Sequence, residues 1–183
     1  MNHSSGLVIT DAQVHIWAPP SPERPWAPGG ESYSSGVDNL SSADRAPMMA
    51  PELLSQMDQA GVSRVVLVPP TFAGDRNDIA LAAAQERPDR FAVMGRFDPT
   101  DPAGRERLGS WLEQPGMLGM RLTFHWGDQR RWLHDGTMDW FWPEAAKAGI
   151  PVAVYPPGAI DTIGKVAAAH PDLKLVIDHF AMP

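Results

Sequence analysis

Short apolar runs alternate with stretches of helical periodicity along most of the chain. Runs of strand length lie at 7–17, 64–69, 91–97, 117–125, 152–155 and 173–179, and helical patterns lie at 51–60, 78–86, 104–113, 138–148 and 159–169. Pro51 suits a first helical position, and Gly61 and Gly149 stand where glycine usually ends a helix. Strands and helices that alternate in this way predict an α/β fold with a parallel sheet.

Two parallel architectures agree with this order of elements. A doubly wound nucleotide-binding fold needs a glycine-rich turn after its first strand, whereas here Trp17 is followed by APPSPERPW. A (β/α)8 barrel has no such requirement and carries its chemistry at the C-terminal ends of its strands. The polar residues of this sequence lie at those ends, so we predict a fold of the (β/α)8 TIM-barrel type.

The length of the chain conflicts with a complete barrel, which takes about 250 residues. The pattern gives only six strands in 183 residues. We therefore expect residues 1–183 to form a single barrel domain that is truncated after six strand–helix units, without strands seven and eight. Residues 18–50 are rich in Pro, Ser and Gly and lack periodicity, which predicts a long loop, either a lid over the catalytic face or a mobile decoration.

Polar side chains collect at the C-terminal ends of four predicted strands. They are Gln13 and His15 in the first, Arg121 and His125 in the fourth, Tyr155 in the fifth and His179 in the sixth. Strand alternation places the two members of each pair on one face, which predicts that all six line the mouth of one barrel. A single His or Tyr at a strand end is more often a hydrogen-bonded structural residue. Asp178 points away from the face of His179, which favours a helix cap or an arginine partner.

Composition and charge narrow the range of partners. A net charge of −7 argues against nucleic-acid binding, and the absence of cysteine excludes disulfides and thiolate sites. No run approaches the about 18 apolar residues of a membrane span, and the N-terminal MNHSSG does not resemble a signal peptide, so we expect a cytoplasmic protein. Arginine outnumbers lysine by 12 to 3, and its planar fork suits a small anionic substrate.

The segment DAQVHIW at 11–17 resembles the opening motif of the amidohydrolase superfamily, and more narrowly of its lactonase-like branch, which holds sugar lactonases and pyrone dicarboxylate lactonases. The resemblance continues through GMRL at 119–122, MDWFWPE at 138–144, GIPV at 149–152, HP at 170–171 and DHFAMP at 178–183. It implies a hydrolase that opens a lactone or cyclic ester.

The chain departs from the superfamily in its metal ligands. The first-strand motif of the superfamily is His-x-His, which binds a divalent metal, whereas this chain has Gln13 before His15. A neutral amide is a poor ligand for Zn²⁺. Metal-binding members also carry a histidine where this chain has Tyr155. Members with two metals bridge them with a modified lysine at a mid-barrel strand end, and none of the three lysines of this chain stands at such a place. We therefore predict no metal cofactor, with one divalent metal such as Zn²⁺ held by His15 and His179 as the alternative.

The resemblance also implies roles for the remaining residues. His15 and His179 would polarise the lactone carbonyl with help from the Gln13 NH2 group, and positioned donors of this kind can replace a Lewis acid. An aspartate that the family supplies from its last strand, beyond Pro183, would activate water.

Substrate binding falls to arginines and their neighbours. Arg121 would clamp a carboxylate by its fork and Tyr155 would add a hydrogen bond. The segment at 124–136, FHWGDQRRWLHDG, would add His125 and Arg130 as further anion contacts, while Arg131 and His134 are interpreted as part of a solvated loop.

Two alternatives to a metal-independent lactonase stay open. One is a metal-dependent decarboxylase of the same superfamily. The other is a catalytically inactive fragment that forms homo-oligomers through its open sheet edges, because six strands leave the first and the sixth with unpaired backbone groups. Because the last-strand aspartate of the family is absent from residues 1–183, we expect the 183-residue chain alone to lack lactonase activity.

Overall fold

The computed structural model describes residues 7–33 and 40–182. The strands in this part of the chain are β1 (Thr10–Val14), β2 (Arg64–Leu67), β3 (Phe91–Arg96), β4 (Met117–Thr123), β5 (Val152–Tyr155) and β6 (Leu175–Ile177). The α-helices are α1 (Ala50–Ala60), α2 (Asp78–Glu86), α3 (Gly104–Leu108), α4 (Phe141–Lys147) and α5 (Ile160–Ala169).

The strands follow one another in the sheet in the order β1-β2-β3-β4-β5-β6, and the pairs whose register is defined are parallel. A doubly wound sheet reverses its strand order at a switch point, whereas sequential order is that of consecutive (β/α)8 units. The predicted α/β fold of TIM-barrel type with six strand–helix units is confirmed.

The observed elements differ from the predicted ones mainly where a helix or strand ends before its predicted last residue. The helix predicted over 104–113 is interrupted: α3 ends at Leu108, and a 3-10 turn follows over Trp111–Glu113. The sixth strand ends at Ile177, because Asp178–Ala181 forms a short 3-10 element with three consecutive positive φ angles, 50°, 53° and 55° at His179, Phe180 and Ala181.

The chain divides into two compact units, residues 1–93 and 94–183. In the first unit, α1 packs through Leu53 and Met57, and β2 contributes the fully buried Leu67 to the same apolar core. The predicted long loop is anchored to this unit, since Trp17 and Met48 exchange two backbone hydrogen bonds of 2.7 and 3.2 Å.

Phe72, which follows β2 in the chain, packs against the described part of this loop. The Phe72 ring lies 6.0 Å from Trp17 and 4.7 Å from Trp26, and its carbonyl accepts a hydrogen bond from Ala27 N at 2.9 Å. A Cβ at Gly30 would come within 2.7 Å of the Phe72 oxygen, so only glycine allows this approach. A role of the loop as a lid stays a prediction.

The second unit packs its helices on one face of the sheet and leaves polar residues on the other. Phe141 of α4 is fully buried and contacts Phe97, Trp140 and Trp142. Because Phe97 faces this helix layer, Arg96 at the end of β3 faces the opposite way. The indole N–H of Trp111 donates to the Gly119 carbonyl at 3.0 Å.

Apolar side chains are exposed around β6. Val176 and Ile177 are 50% and 39% exposed, and Phe180 is 92% exposed. In the described sheet β6 pairs with β5 alone. Self-association through open edges stays a prediction, which sedimentation of the chain over a range of concentrations would test.

Candidate functional site

The end of β1 carries Gln13 and His15. The pairing of β1 with β2 has a register irregularity between Asp11 and Val14, which interrupts the strict alternation used to place Gln13 and His15 on one face. Gln13 N donates to Asp11 Oδ1 at 3.0 Å, so Asp11 anchors the backbone at this irregularity.

The ring orientation of His15 determines what its second nitrogen can do. His15 Nδ1 lies 2.6 Å from the Val68 carbonyl oxygen, which can only accept a hydrogen bond, so Nδ1 carries the proton. In the neutral ring, Nε2 then presents a lone pair, which suits a proton acceptor or a metal ligand. His15 can polarise a carbonyl through Nε2 only as an imidazolium.

Arg121 and Asp178 form an ion pair in the second unit. Arg121 Nε donates to Asp178 Oδ2 at 2.6 Å, and the two side chains are only 4% and 14% exposed. The Arg121 guanidinium lies 5.7 Å from the centre of the Tyr155 ring. The sequence favoured a helix cap or an arginine partner for Asp178, and the arginine partner is confirmed.

Tyr155 lies between two histidines. Its ring centre is 5.0 Å from that of His125 and 5.1 Å from that of His179, with edge-to-face geometry in both pairs. The Tyr155 hydroxyl donates to the Met182 carbonyl at 2.9 Å. The structure thus brings together Arg121, His125, Tyr155 and His179 at the C-terminal ends of β4, β5 and β6.

A cavity of about 330 Å³ opens beside this cluster. Its polar side chains are His125, Arg130 and His134, and residues 157–159 before α5 close its other side. Arg130 Nε donates to the His125 carbonyl at 2.6 Å, which holds the arginine near the end of β4. His134 is exposed, as expected for a residue of a solvated loop, and it also lines the rim of this cavity.

Arg131 does belong to the solvated surface. Its side chain is 70% exposed and pairs with Asp128 at 2.7 Å. The neighbouring arginines at 130 and 131 thus have different surroundings, and the interpretation of Arg131 as a residue of a solvated loop is confirmed.

His125 is neutral at ordinary pH. Burial is the largest cause, and together with the neighbouring Arg121, Arg96, Arg130 and His179 it lowers the pKa of His125 from 6.5 to about 4. His125 therefore meets an anion only as a neutral hydrogen-bonding group.

This shift predicts a pH dependence of stability. Between pH about 4 and 6.5 the unfolded chain binds a proton at His125 that the folded chain does not, so the free energy of unfolding falls as the pH decreases through this window. We expect urea denaturation at pH 7 and pH 5 to show a larger loss for the natural chain than for His125→Gln. Proton NMR should place the His125 midpoint near 4. Equal losses in the two proteins would contradict the assignment.

Sequence reasoning missed Arg96. Arg96 is 5% exposed, and its guanidinium donates to Thr123 Oγ1 at 3.0 Å. The available signal was its place as the last residue of β3, at the same end of a strand as the other polar residues. Its neighbours are apolar or glycine, so the pattern read as an ordinary buried strand.

A metal site was tested on the residues themselves. Among residues 7–33 and 40–182, no group of three His, Cys, Asp or Glu side chains lies close enough together to hold a metal ion. The described residues therefore do not supply a three-ligand site. The absence of a metal cofactor stays a prediction.

Comparison with known proteins agrees with the fold. A family model described as amidohydrolase matches residues 10–183. No curated protein matches the sequence. Within the described part of the chain, no helix is long and apolar enough to cross a membrane.

Solved structures resemble the chain at low identity. A protein from Acinetobacter baumannii assigned as a 2-pyrone-4,6-dicarboxylic acid hydrolase, solved with citric acid bound, is 20% identical with a TM-score of 0.65, and the match covers 96% of this chain and 59% of that one. A protein from Pseudomonas putida with the same assignment is 21% identical with a TM-score of 0.67, covering 96% and 58%. A 2,6-dihydroxybenzoate decarboxylase from Rhizobium is 17% identical with a TM-score of 0.68, covering 95% and 67%.

These likenesses concern the fold alone. The chain spans less than three fifths of the length of the two proteins assigned as dicarboxylic acid hydrolases, at 59% and 58%. Fold similarity is shared by proteins with different reactions, so the chemistry has to be argued from the residues.

Proposed function

Because the chain belongs to the amidohydrolase family, we propose that the protein is a hydrolase that opens a lactone or similar cyclic ester bearing a carboxylate, without a bound metal. The observation that carries the proposal is the group of Arg121, Arg130, Tyr155 and His179 at the C-terminal ends of β4, β5 and β6. TIM-barrel enzymes carry their chemistry at this end of the strands.

Carboxylate binding is the best supported part of the proposal. Arg121 is oriented by Asp178 on its Nε side and by the Tyr155 ring on its face, so its donors are held in one direction. Arg130 is oriented by the His125 carbonyl and lines the cavity. Guanidinium groups that are fixed in advance bind carboxylates with little loss of side-chain entropy.

Catalysis is assigned to histidines by the family resemblance. We propose that His179, in edge contact with Tyr155, donates to the lactone carbonyl as it becomes an oxyanion. His15 takes the same role in its imidazolium form, since its Nδ1 proton is engaged by Val68. Gln13 assists through its NH2 group.

The decarboxylase alternative draws on one specific observation. A neutral His15 that donates from Nδ1 to a backbone carbonyl has the arrangement of a metal-ligating histidine. Elemental analysis of protein purified without chelators separates the two functions. One equivalent of Zn²⁺ or Mn²⁺ that is required for release of CO2 from 2,6-dihydroxybenzoate would favour the decarboxylase and count against the lactonase.

We expect Arg130→Met to weaken binding of a dicarboxylate about 10- to 100-fold, because a hydrogen bond to a charged group contributes about 1.5–3 kcal/mol. The probe is 2-pyrone-4,6-dicarboxylate, titrated into the chain in a calorimeter. Arg131→Met is the matched control, since Arg131 is 70% exposed and outside the cavity lining. Equal affinities of the two variants would contradict the proposed role of Arg130.

A further inference from the structure

A buried polar chain connects β3, β4 and the turn after β4. Arg96 and Thr123, the last residues of β3 and β4, are 5% and 0% exposed. The Arg96 guanidinium donates to Thr123 Oγ1 at 3.0 Å, and the Thr123 hydroxyl donates to Gln129 Oε1 at 2.5 Å. The Thr123 hydroxyl therefore accepts a hydrogen bond from Arg96 of β3 and donates one to Gln129 of the turn.

Gln129 belongs to the 3-10 turn Gly127–Arg130, here called the 127–130 turn. A 3-10 turn of this length has poor hydrogen-bond geometry and little stability of its own. Two side-chain hydrogen bonds join the turn to the end of β4 and the residues just after it: one between Gln129 and the Thr123 side chain, and one from Arg130 to the His125 carbonyl at 2.6 Å. The position of Arg130 therefore depends on both links.

We propose that Arg96 and Thr123 are positioning residues, which hold the 127–130 turn so that Arg130 meets the carboxylate of the substrate. This inference rests on the proposed function in taking Arg130 as the carboxylate contact. Thr123 is fully buried, so water does not replace the lost hydrogen bonds if its hydroxyl is removed. The turn then loses the side-chain hydrogen bond between Gln129 and Thr123.

Thr123→Val tests this link, because valine has the shape of threonine without the hydroxyl. We expect it to raise the Kd for 2-pyrone-4,6-dicarboxylate about tenfold and to speed amide hydrogen exchange in the 127–130 turn. Thr123→Ser keeps the hydroxyl and should restore both values. Thr162→Val removes a hydroxyl in α5 and should change neither.

A double-mutant cycle shows whether the effect passes through Arg130. If it does, Thr123→Val adds little to the Kd of Arg130→Met. An equal rise in Kd with and without Arg130 would overturn the inference. If Thr123→Val does not fold, Gln129→Leu breaks the same link from the turn, and the same results are expected.

The two proposals fail in different ways. An unchanged Kd in Arg130→Met would overturn the role of Arg130 in the proposed function. A weakened Arg130→Met together with an unchanged Kd and unchanged exchange in Thr123→Val would overturn the positioning role alone. A raised Kd in Thr123→Val that Thr123→Ser does not rescue would count against the hydroxyl as its cause.

Discussion

Replacing Arg121 with methionine is expected to lower the free energy of unfolding by about 3–5 kcal/mol, because it leaves the charge of a buried partner uncompensated. The partner is Asp178, whose side chain is 14% exposed and accepts from Arg121 Nε at 2.6 Å. Exposed ion pairs contribute only about 0–1 kcal/mol, so the size of the effect depends on this burial. Urea denaturation at pH 7 measures it.

The double variant Arg121→Met/Asp178→Asn provides the control. With both charges removed, no buried charge remains without its partner, so we expect part of the lost stability to return. A loss below about 1 kcal/mol in Arg121→Met would show that the pair behaves like a surface pair. In calorimetry, the single variant should also bind 2-pyrone-4,6-dicarboxylate at least as weakly as Arg130→Met.

Phe141→Ala is the second change with a large expected effect, about 3–5 kcal/mol of unfolding free energy. Phe141 is 0% exposed, and its ring centre lies 5.5 Å from Phe97 and 5.2 Å from Trp142. Removing the ring leaves a cavity among aromatic side chains and also removes the tilted contact with Phe97 and the edge-to-face contact with Trp142.

Phe180→Ala is the matched control for this substitution. Phe180 is 92% exposed, so the same change of residue should alter stability by no more than about 0.5 kcal/mol. Urea denaturation measures the free energy of unfolding of both variants, and the two values can be compared if the free energy depends equally steeply on urea concentration in both. Similar losses in the two would mean that α4 is not packed as the structure describes.

The pattern of apolar residues predicted the bounds of an element well where the element is a single uninterrupted helix or strand. The helix at 78–86 and the strand at 152–155 have the predicted bounds. The helix predicted over 104–113 was less accurate, because the Gly109-Ser110 pair ends α3 early and Trp111 turns to reach the Gly119 carbonyl. That hydrogen bond joins two elements, so periodicity within one of them does not reveal it.

The candidate site was predictable only in part. Strand ends identified Arg121, Tyr155 and His179, since the ends of parallel strands lie at one edge of a sheet. Their partners were not predictable: Asp178 is 57 positions from Arg121, and no local pattern pairs residues at that separation. For Asp178 the sequence left a helix cap and an arginine partner open, and it offered twelve arginines as partners.

The sequence by itself determined the order of strands and helices, the family, and which strand ends carry polar groups, because apolar periodicity and short motifs are properties of neighbouring residues. Tertiary structure alone decided which nitrogen of His15 carries its proton, that His125 is neutral, and that Asp178 pairs with Arg121. These properties depend on burial and on charges brought together from distant parts of the chain. The left-handed turn at 179–181 is of the same kind, since none of its residues is a glycine that would mark it in the sequence.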